Sequence, residues 1–170
     1  MLFRSLSAYP EHHFDLVLFS FNGIDCLSHE GRMRALGEIH RVLKPGGLFA
    51  FSSHNRERTV ASPFSLVNLP LSKNPLTLCR NINRYFIGVR NWLRTRHLAT
   101  ESSEFALRHD CGNVFEVPAY YITKAMQALQ LKRAGFKLEA LYNRHGQPSS
   151  ITDQDLNSSW IFYVCRAMDA

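Results

Sequence analysis

The chain has 170 residues, 45% of them hydrophobic and 20% charged, a balance typical of a single folded domain. No apolar run reaches the roughly 18 residues that span a bilayer, and the opening MLFRSLSAYPEHH lacks the apolar core of a secretory signal. Its four cysteines are widely spaced, which argues against a zinc site or a disulfide scaffold. These features predict a cytoplasmic protein with reduced thiols.

The first predicted element is a strand over residues 14–21, FDLVLFSF. Such a nearly continuous apolar run is typical of a strand that is covered on both faces, as in parallel sheets. Asn22 and Gly23 end this strand. The sequence then predicts a helix from His29 to Leu43, because its apolar residues recur at helical spacing. On that helix we expect four charged side chains to face water: Arg32, Arg34, Glu38 and Arg41.

The segment Lys44-Pro45-Gly46-Gly47 is predicted to end the helix, since proline cannot continue it and glycine accepts positive φ. Residues 48–53 then form a second buried strand. Two parallel strands joined by a helix make a βαβ unit, which indicates the nucleotide-binding type of α/β fold.

Residues 54–118 are rich in proline, and we interpret them as an insertion within a single domain. Residues 76–97 of this segment predict an amphipathic helix with aromatic side chains on one side and arginines on the other. Residues 58–100 hold seven basic residues and no acidic one, so this segment carries a charge of +7 and the rest of the chain sums to −1. The helix could act as a lid, pack on the sheet, or bind phosphates. Because its aromatic rings lie opposite the arginines, nucleic acid and anionic membranes are disfavoured as partners.

The C-terminal part predicts one more helix and two strands. Thr123 is a plausible N-cap, and Ala125, Met126 and Leu129 mark the expected buried side. Gly135 ends this helix. Strands follow at residues 136–142 and 160–165, with a polar loop between them.

This order of motifs resembles the second half of the class I S-adenosylmethionine-dependent methyltransferases. The resemblance rests on FDLVLFSFNGID at 14–25, EIHRVLKPGGLFAFSS at 38–53, YYITKAMQALQLKRAGF at 120–136 and the closing WIFYVC. It implies a Rossmann-like sheet made of strands four to seven of the usual seven, the last of them antiparallel. It also implies S-adenosyl-L-methionine as cofactor and methyl transfer to a small-molecule acceptor.

The chain departs from the family pattern at its N-terminus. The nine glycines start at Gly23 and form no GxGxG or GxGxxG, so the family's glycine-rich cofactor loop is absent. We therefore expect residues 1–170 to form one partial methyltransferase domain, with 54–118 as a helical insertion. A truncated product, a mis-assigned start and one half of a split protein all fit this pattern.

The predicted site lies at the carboxyl ends of the two parallel strands, where open α/β sheets bind ligands. By the resemblance, Ser20, Phe21 and Asn22 line the cofactor cleft. Asn22 fits a turn equally well, and for Phe21 packing in the core is slightly favoured. Asp25 could orient a substrate, but we favour a helix cap. His54 is a candidate base, although most of the eight histidines in such a chain have no catalytic role.

Other features point to no further chemistry. The pairs His12-His13 and Asp110-Cys111 have no spacing that joins them into a metal site, so no metal is expected. The alternative to an enzyme is a catalytically inactive remnant or interaction module. In that case the fourth family strand would present an unpaired edge, and the chain would self-associate or need a partner to complete the sheet.

Overall fold

The computed structural model describes residues 6–169 and divides into two compact units. One unit runs as far as Arg58 and resumes at Tyr120, and the other comprises Thr59–Ala119. Residues 1–5, which begin the opening segment MLFRSLSAYPEHH, and residue 170 lie outside the described part, so the secretory-signal prediction falls partly outside it. The second unit nearly coincides with the predicted insertion, and its interpretation as an insertion stays a prediction.

The chain forms three α-helices and eight strands within the described residues. In chain order they are β1 (Phe14–Phe19), α1 (His29–Val42), β2 (Leu43–Asn55), α2 (Pro75–Thr95), β3 (Thr100–Glu101), β4 (Ala106–Arg108), β5 (Ala119–Ile122), α3 (Lys124–Arg133), β6 (Phe136–Asn143), β7 (Pro148–Ser149) and β8 (Trp160–Ala167). Among these residues, no helix is both long and apolar enough to cross a bilayer.

The first unit is built on a mixed sheet whose central strand is β2. Strand β1 pairs with β2 in parallel, and β8 pairs with the other side of β2 in the antiparallel sense. Strand β6 lies beyond β8, and β7 beyond β6. Strand β5 pairs in parallel with the last two residues of β2, past the point where β1 ends. The predictions of two parallel first strands and an antiparallel final strand are therefore confirmed.

Helix α1 begins and ends where its sequence signals lie. The Ser28 hydroxyl accepts a hydrogen bond from the Gly31 amide at 3.1 Å, a standard N-cap. The helix ends at Val42, but the predicted start of the next strand at residue 48 is wrong. Strand β2 already begins at Leu43, and residues 44–47 form a bulge between its pairings with Phe14 and with Leu16. Gly46, at φ 76°, supplies the left-handed turn in this bulge.

The hydrophobic core covers only one face of the sheet. It joins side chains of α1 and α3 to alternate residues of the strands, among them Leu36, Ile39, Phe49, Phe51, Leu131, Ile161 and Tyr163. On the opposite face Leu16 is 56% and Leu18 is 68% exposed. The prediction that β1 is buried on both faces is therefore wrong, because side chains alternate along a strand and only one of its faces packs against helices.

Helix α3 buries a different side from the predicted one. Thr123 caps the helix as expected, accepting from the Met126 amide at 3.3 Å. The buried residues are Lys124, Gln127, Gln130 and Leu131, whereas Leu129 is exposed. Polar residues are stable here because they find partners. The Lys124 ammonium, for example, donates to Asp155 at 2.7 Å.

The second unit contains the predicted amphipathic helix. Asn74 caps α2 by accepting from the amides of Leu76 and Thr77, and Pro75 occupies its first turn. A preceding loop runs beside the helix, with the Tyr85 hydroxyl donating to the Phe64 carbonyl at 3.0 Å. Gly88 is buried because Phe115 packs where a side chain would stand. The predicted helix with arginines and aromatic residues on opposite sides is thus present as α2, and the role of α2 as a lid stays a prediction.

Candidate functional site

The chain makes a sharp turn as it leaves β1. Phe21 and Asn22 have φ values of 55° and 52°, in the left-handed region that non-glycine residues seldom adopt. The Asn22 amide donates to the Ser52 hydroxyl at 3.0 Å, which ties this turn to β2. Two consecutive residues in such a conformation often mark a functional position.

A cavity of about 520 Å³ opens beside this turn, on the uncovered face of the sheet. Its walls come from the ends of β1, β2 and β8, and Leu18, Ala50 and Phe162 make it largely apolar. Ser20, Phe21 and Asn22 all line it, so the structure brings the three predicted cleft residues together around one space. Whether they bind a cofactor stays a prediction.

The environment of two of these residues decides between the alternatives left open by the sequence. Phe21 is 97% exposed, so the preference for packing in the core is wrong. Asn22 both forms the turn and lines the cavity. Its side-chain oxygen Oδ1 is buried and has no hydrogen-bond partner among residues 6–169. A buried acceptor without a donor is costly, so a ligand with an N–H or O–H group would fit here.

Asp25 is not a helix cap, contrary to expectation, since Ser28 caps α1. Its carboxylate is buried in a short 3-10 helix, Gly23–Cys26, and accepts four hydrogen bonds. Oδ1 accepts from Arg32 at 2.6 Å and from the Ser53 hydroxyl at 2.7 Å. Oδ2 accepts from the backbone amide of His54 at 2.7 Å and from its ring nitrogen Nδ1 at 2.8 Å.

His54 therefore sits between Asp25 and the turn after β1. Because the Asp25 carboxylate only accepts, Nδ1 of His54 carries a hydrogen, and in the neutral imidazole Nε2 then carries the lone pair. Nε2 lies 3.4 Å from the side-chain amide nitrogen of Asn22. The ring also lies 4.9 Å from that of Tyr121, and the side chain is 20% exposed.

Arg32 also belongs to this site, and the prediction that it faces water is wrong. Its side chain is fully buried and forms an ion pair with Asp25 at 2.6 Å. It also donates to Gln127 and lies 4.5 Å above the Tyr120 ring. A signal was present, because position 32 falls on the same helical stripe as buried Ala35, Leu36 and Ile39. An arginine on a buried stripe needs a buried acid.

The negative charge at Asp25 also affects the neighbouring thiol. Burial, and then the Asp25 carboxylate, raise the pKa of Cys26 above its ordinary value. A thiol shifted in this direction is a weak nucleophile at neutral pH. Within residues 6–169, no three histidine, cysteine or acidic side chains come together as a metal site would require.

The parallel strands, their connecting helix and a cavity at the strand ends define the class as a Rossmann-like α/β protein. A family model described as a methyltransferase domain matches residues 2–51, which include β1, α1 and most of β2. Solved structures of S-adenosylmethionine-dependent methyltransferases share the fold. Residues 2–51 thus match the methyltransferase-domain family, and the chain shares the fold of class I S-adenosylmethionine-dependent methyltransferases.

Two solved structures illustrate the similarity. The first is a methyltransferase from Thermotoga maritima, described as a possible histamine N-methyltransferase, with TM-score 0.51 and 14% identity. The second is the 1,6-didemethyltoxoflavin-N1-methyltransferase of Burkholderia thailandensis, with TM-score 0.50 and 12% identity, solved with bound 1,6-didemethyltoxoflavin and S-adenosylhomocysteine. Matches cover 95% and 94% of this chain but only 58% and 46% of theirs. A search of curated proteins returned no match.

Proposed function

We propose that this chain takes part in methyl transfer from S-adenosyl-L-methionine to a small-molecule acceptor. The observation that carries the proposal is the cavity beside the carboxyl end of β1, which is lined in part by the segment that matches the methyltransferase domain. Its volume of about 520 Å³ lies within the usual range for small-molecule sites. The acceptor class is supported by the Burkholderia relative, which was solved with a small molecule bound.

In this proposal Ser20, Phe21 and Asn22 form one wall of the cofactor site. Phe21 and Leu18 offer apolar surface, and Asn22 Oδ1 offers an acceptor that has no partner among residues 6–169. When bound, the cofactor supplies an electrophilic methyl group. The protein's main task is then to hold the acceptor in line with that group, which is a proximity effect. These residues supply only part of a cofactor site, since the sequence contains no glycine-rich loop.

Calorimetric titration of the chain with S-adenosylhomocysteine tests this proposal. Asn22→Gly removes the side chain while keeping a residue that tolerates φ 52°. Loss of one hydrogen bond of about 0.5–1.5 kcal/mol should weaken binding roughly 2- to 10-fold. Asn83→Ala, at an exposed position of α2, is the control and should leave the affinity unchanged. Absence of binding by the unaltered chain would count against cofactor binding by these residues.

A second candidate function is that of an interaction module. It is supported by β1, which pairs with β2 on one side and exposes Leu16 and Leu18 on its uncovered face. Exposed strand edges and apolar faces recruit further strands, either from a second copy of the chain or from a partner. Light scattering distinguishes the candidates, because Leu16→Glu should abolish such an association, and Leu16 does not line the cavity of the proposed cofactor site.

The proposal places the reaction in the cytoplasm. Its support is the state of the cysteines: Cys26, Cys79, Cys111 and Cys165 are all free thiols. Free, scattered cysteines are typical of proteins that work in a reducing compartment. Mass spectrometry of the protein isolated from cells under acid quench should find these four thiols unpaired.

A further inference from the structure

We propose that His54 is the general base that removes the acceptor's proton, and that Asp25 is the residue that positions it. This inference rests on the proposed function and adds a reacting group to it. It also narrows the acceptor to a compound whose oxygen or nitrogen must lose a proton during transfer.

The first support is the orientation of the imidazole. Asp25 Oδ2 accepts from both the backbone amide of His54, at 2.7 Å, and its Nδ1, at 2.8 Å. These two bonds fix the ring relative to the main chain and select the tautomer with hydrogen on Nδ1. The lone pair on Nε2 then faces Asn22 Nδ2, 3.4 Å away, and thus the turn that lines the cavity. A hydrogen bond of that length is weak, so an acceptor hydroxyl can compete for Nε2.

The second support is the set of charges that hold Asp25. Its other oxygen accepts from the Arg32 guanidinium and from Ser53, so both oxygens are committed and the carboxylate is compensated by a buried cation. The charged and titratable groups around His54 include Asp25 from the short helix, Arg32 from α1 behind it, and Tyr121 from β5 beside its ring. Arg32 is itself held by Gln127 and Tyr120. Because both oxygens of the buried Asp25 carboxylate are held by hydrogen bonds, Asp25 orients His54 and does not itself take part in proton transfer.

The step balances without any further reactant. As the acceptor atom bonds to the methyl carbon of the sulfonium cofactor, the carbon–sulfur bond breaks with its electron pair on sulfur, and the acceptor's proton moves to His54 Nε2. The imidazolium that forms lies against the Asp25 carboxylate, which stabilises its charge. Water then takes up this proton through the exposed fraction of the side chain.

Nitrogen-15 NMR of the histidine rings tests the positioning role without any substrate. In the unaltered chain, the spectrum of His54 should show a protonated Nδ1 and an unprotonated Nε2. Asp25→Asn should switch His54 to the Nε2–H tautomer, because the asparagine oxygen is kept by Arg32 and its amide group turns toward the ring. The control is Asp15→Asn, at an exposed carboxylate that pairs with Lys44, which should leave the tautomer unchanged. An Nε2–H tautomer in the unaltered chain would overturn the inference.

Transfer of a labelled methyl group to a phenol and to the matching thiophenol tests the base. His54→Gln should lower the rate with the phenol about 10²- to 10⁴-fold. The rate with the thiophenol should change little, since a thiophenol is already ionised at neutral pH and needs no base. His97→Gln, at an exposed residue of the second unit, is the control. Equal losses with both compounds would refute His54 as a base. If the unaltered chain methylates neither, the proposed function loses its support, while the tautomer measurement still decides the role of Asp25.

Discussion

Replacing Arg32 by methionine should destabilise the protein far more than removing any exposed cation. The substitution keeps a long apolar stem but leaves the Asp25 carboxylate, which is 1% exposed, without its counter-charge. It removes the 2.6 Å bond to Asp25 and the bonds to Ser53 and Gln127. Breaking a buried ion pair from one side costs about 3–5 kcal/mol, a large share of the about 5–15 kcal/mol that stabilises an ordinary domain.

Urea unfolding and thermal unfolding, both followed by circular dichroism, measure this cost. At about 2–4 °C per kcal/mol for a chain of this size, the melting temperature should fall by roughly 6–20 °C. The matched control is Lys44→Met. Lys44 forms an ion pair of similar length, 2.8 Å, with Asp15, whose side chain is 82% exposed, and its loss should cost about 0–1 kcal/mol.

The double variant Arg32→Met/Asp25→Asn separates the charge effect from packing. Removing both charges should recover part of the loss, because no uncompensated carboxylate then remains buried. A cost for Arg32→Met no larger than that for Lys44→Met would refute the claim that this pair is buried at the site.

Three further predictions concern stability and reactivity. Gly37→Ala, in open space on α1, should stabilise the protein by about 0.5–1 kcal/mol. Gly135→Ala should destabilise it by more than about 1 kcal/mol, because φ at this residue is +85° and the new Cβ would stand 2.7 Å from His40 Nε2. The urea midpoints of the two variants check both expectations. Burial lowers the pKa of His109 in the folded protein. As pH falls below about 6.5, this histidine is therefore protonated in the unfolded chain before it is protonated in the folded protein, and the free energy of unfolding decreases. His109→Gln should reduce this decrease in unfolding curves measured between pH 5 and 8. Burial raises the pKa of Cys165 to about 12. Mass spectrometry should therefore show iodoacetamide modifying exposed Cys79 and Cys111 in the native protein, Cys26 more slowly because its pKa is also raised, and Cys165 only in denaturant.

The parallel pair β1 and β2 was predictable from the sequence because its signals are local. Two apolar runs flank a helical spacing, and Lys44-Pro45-Gly46-Gly47 separates the helix from the second strand. The bulge in β2 was not predictable, since it depends on how Phe14 and Leu16 register with that strand. The uncovered face of β1 was missed for a related reason: an apolar run shows that a strand can be buried, but does not show what covers it.

The candidate site was only partly predictable for a different physical reason. Ser20, Phe21 and Asn22 follow from the position of a strand end. The network of Asp25, Arg32 and His54 does not, because charged residues are normally assigned to water. Their burial depends on partners far apart in the sequence, as with Arg32 and Gln127. The one sequence signal for this network was the position of Arg32 on an apolar helical stripe.

The central claim is that the cleft at the carboxyl ends of β1 and β2 receives the methyl donor. Amide NMR spectra of the labelled chain, recorded during titration with S-adenosylhomocysteine, test it most directly. The account predicts that the largest shifts fall on residues 20–22 and Ser52, which line the cavity, and on His54, which contacts Asn22. Saturable shifts confined to other parts of the chain, or no shifts at millimolar ligand, would contradict it.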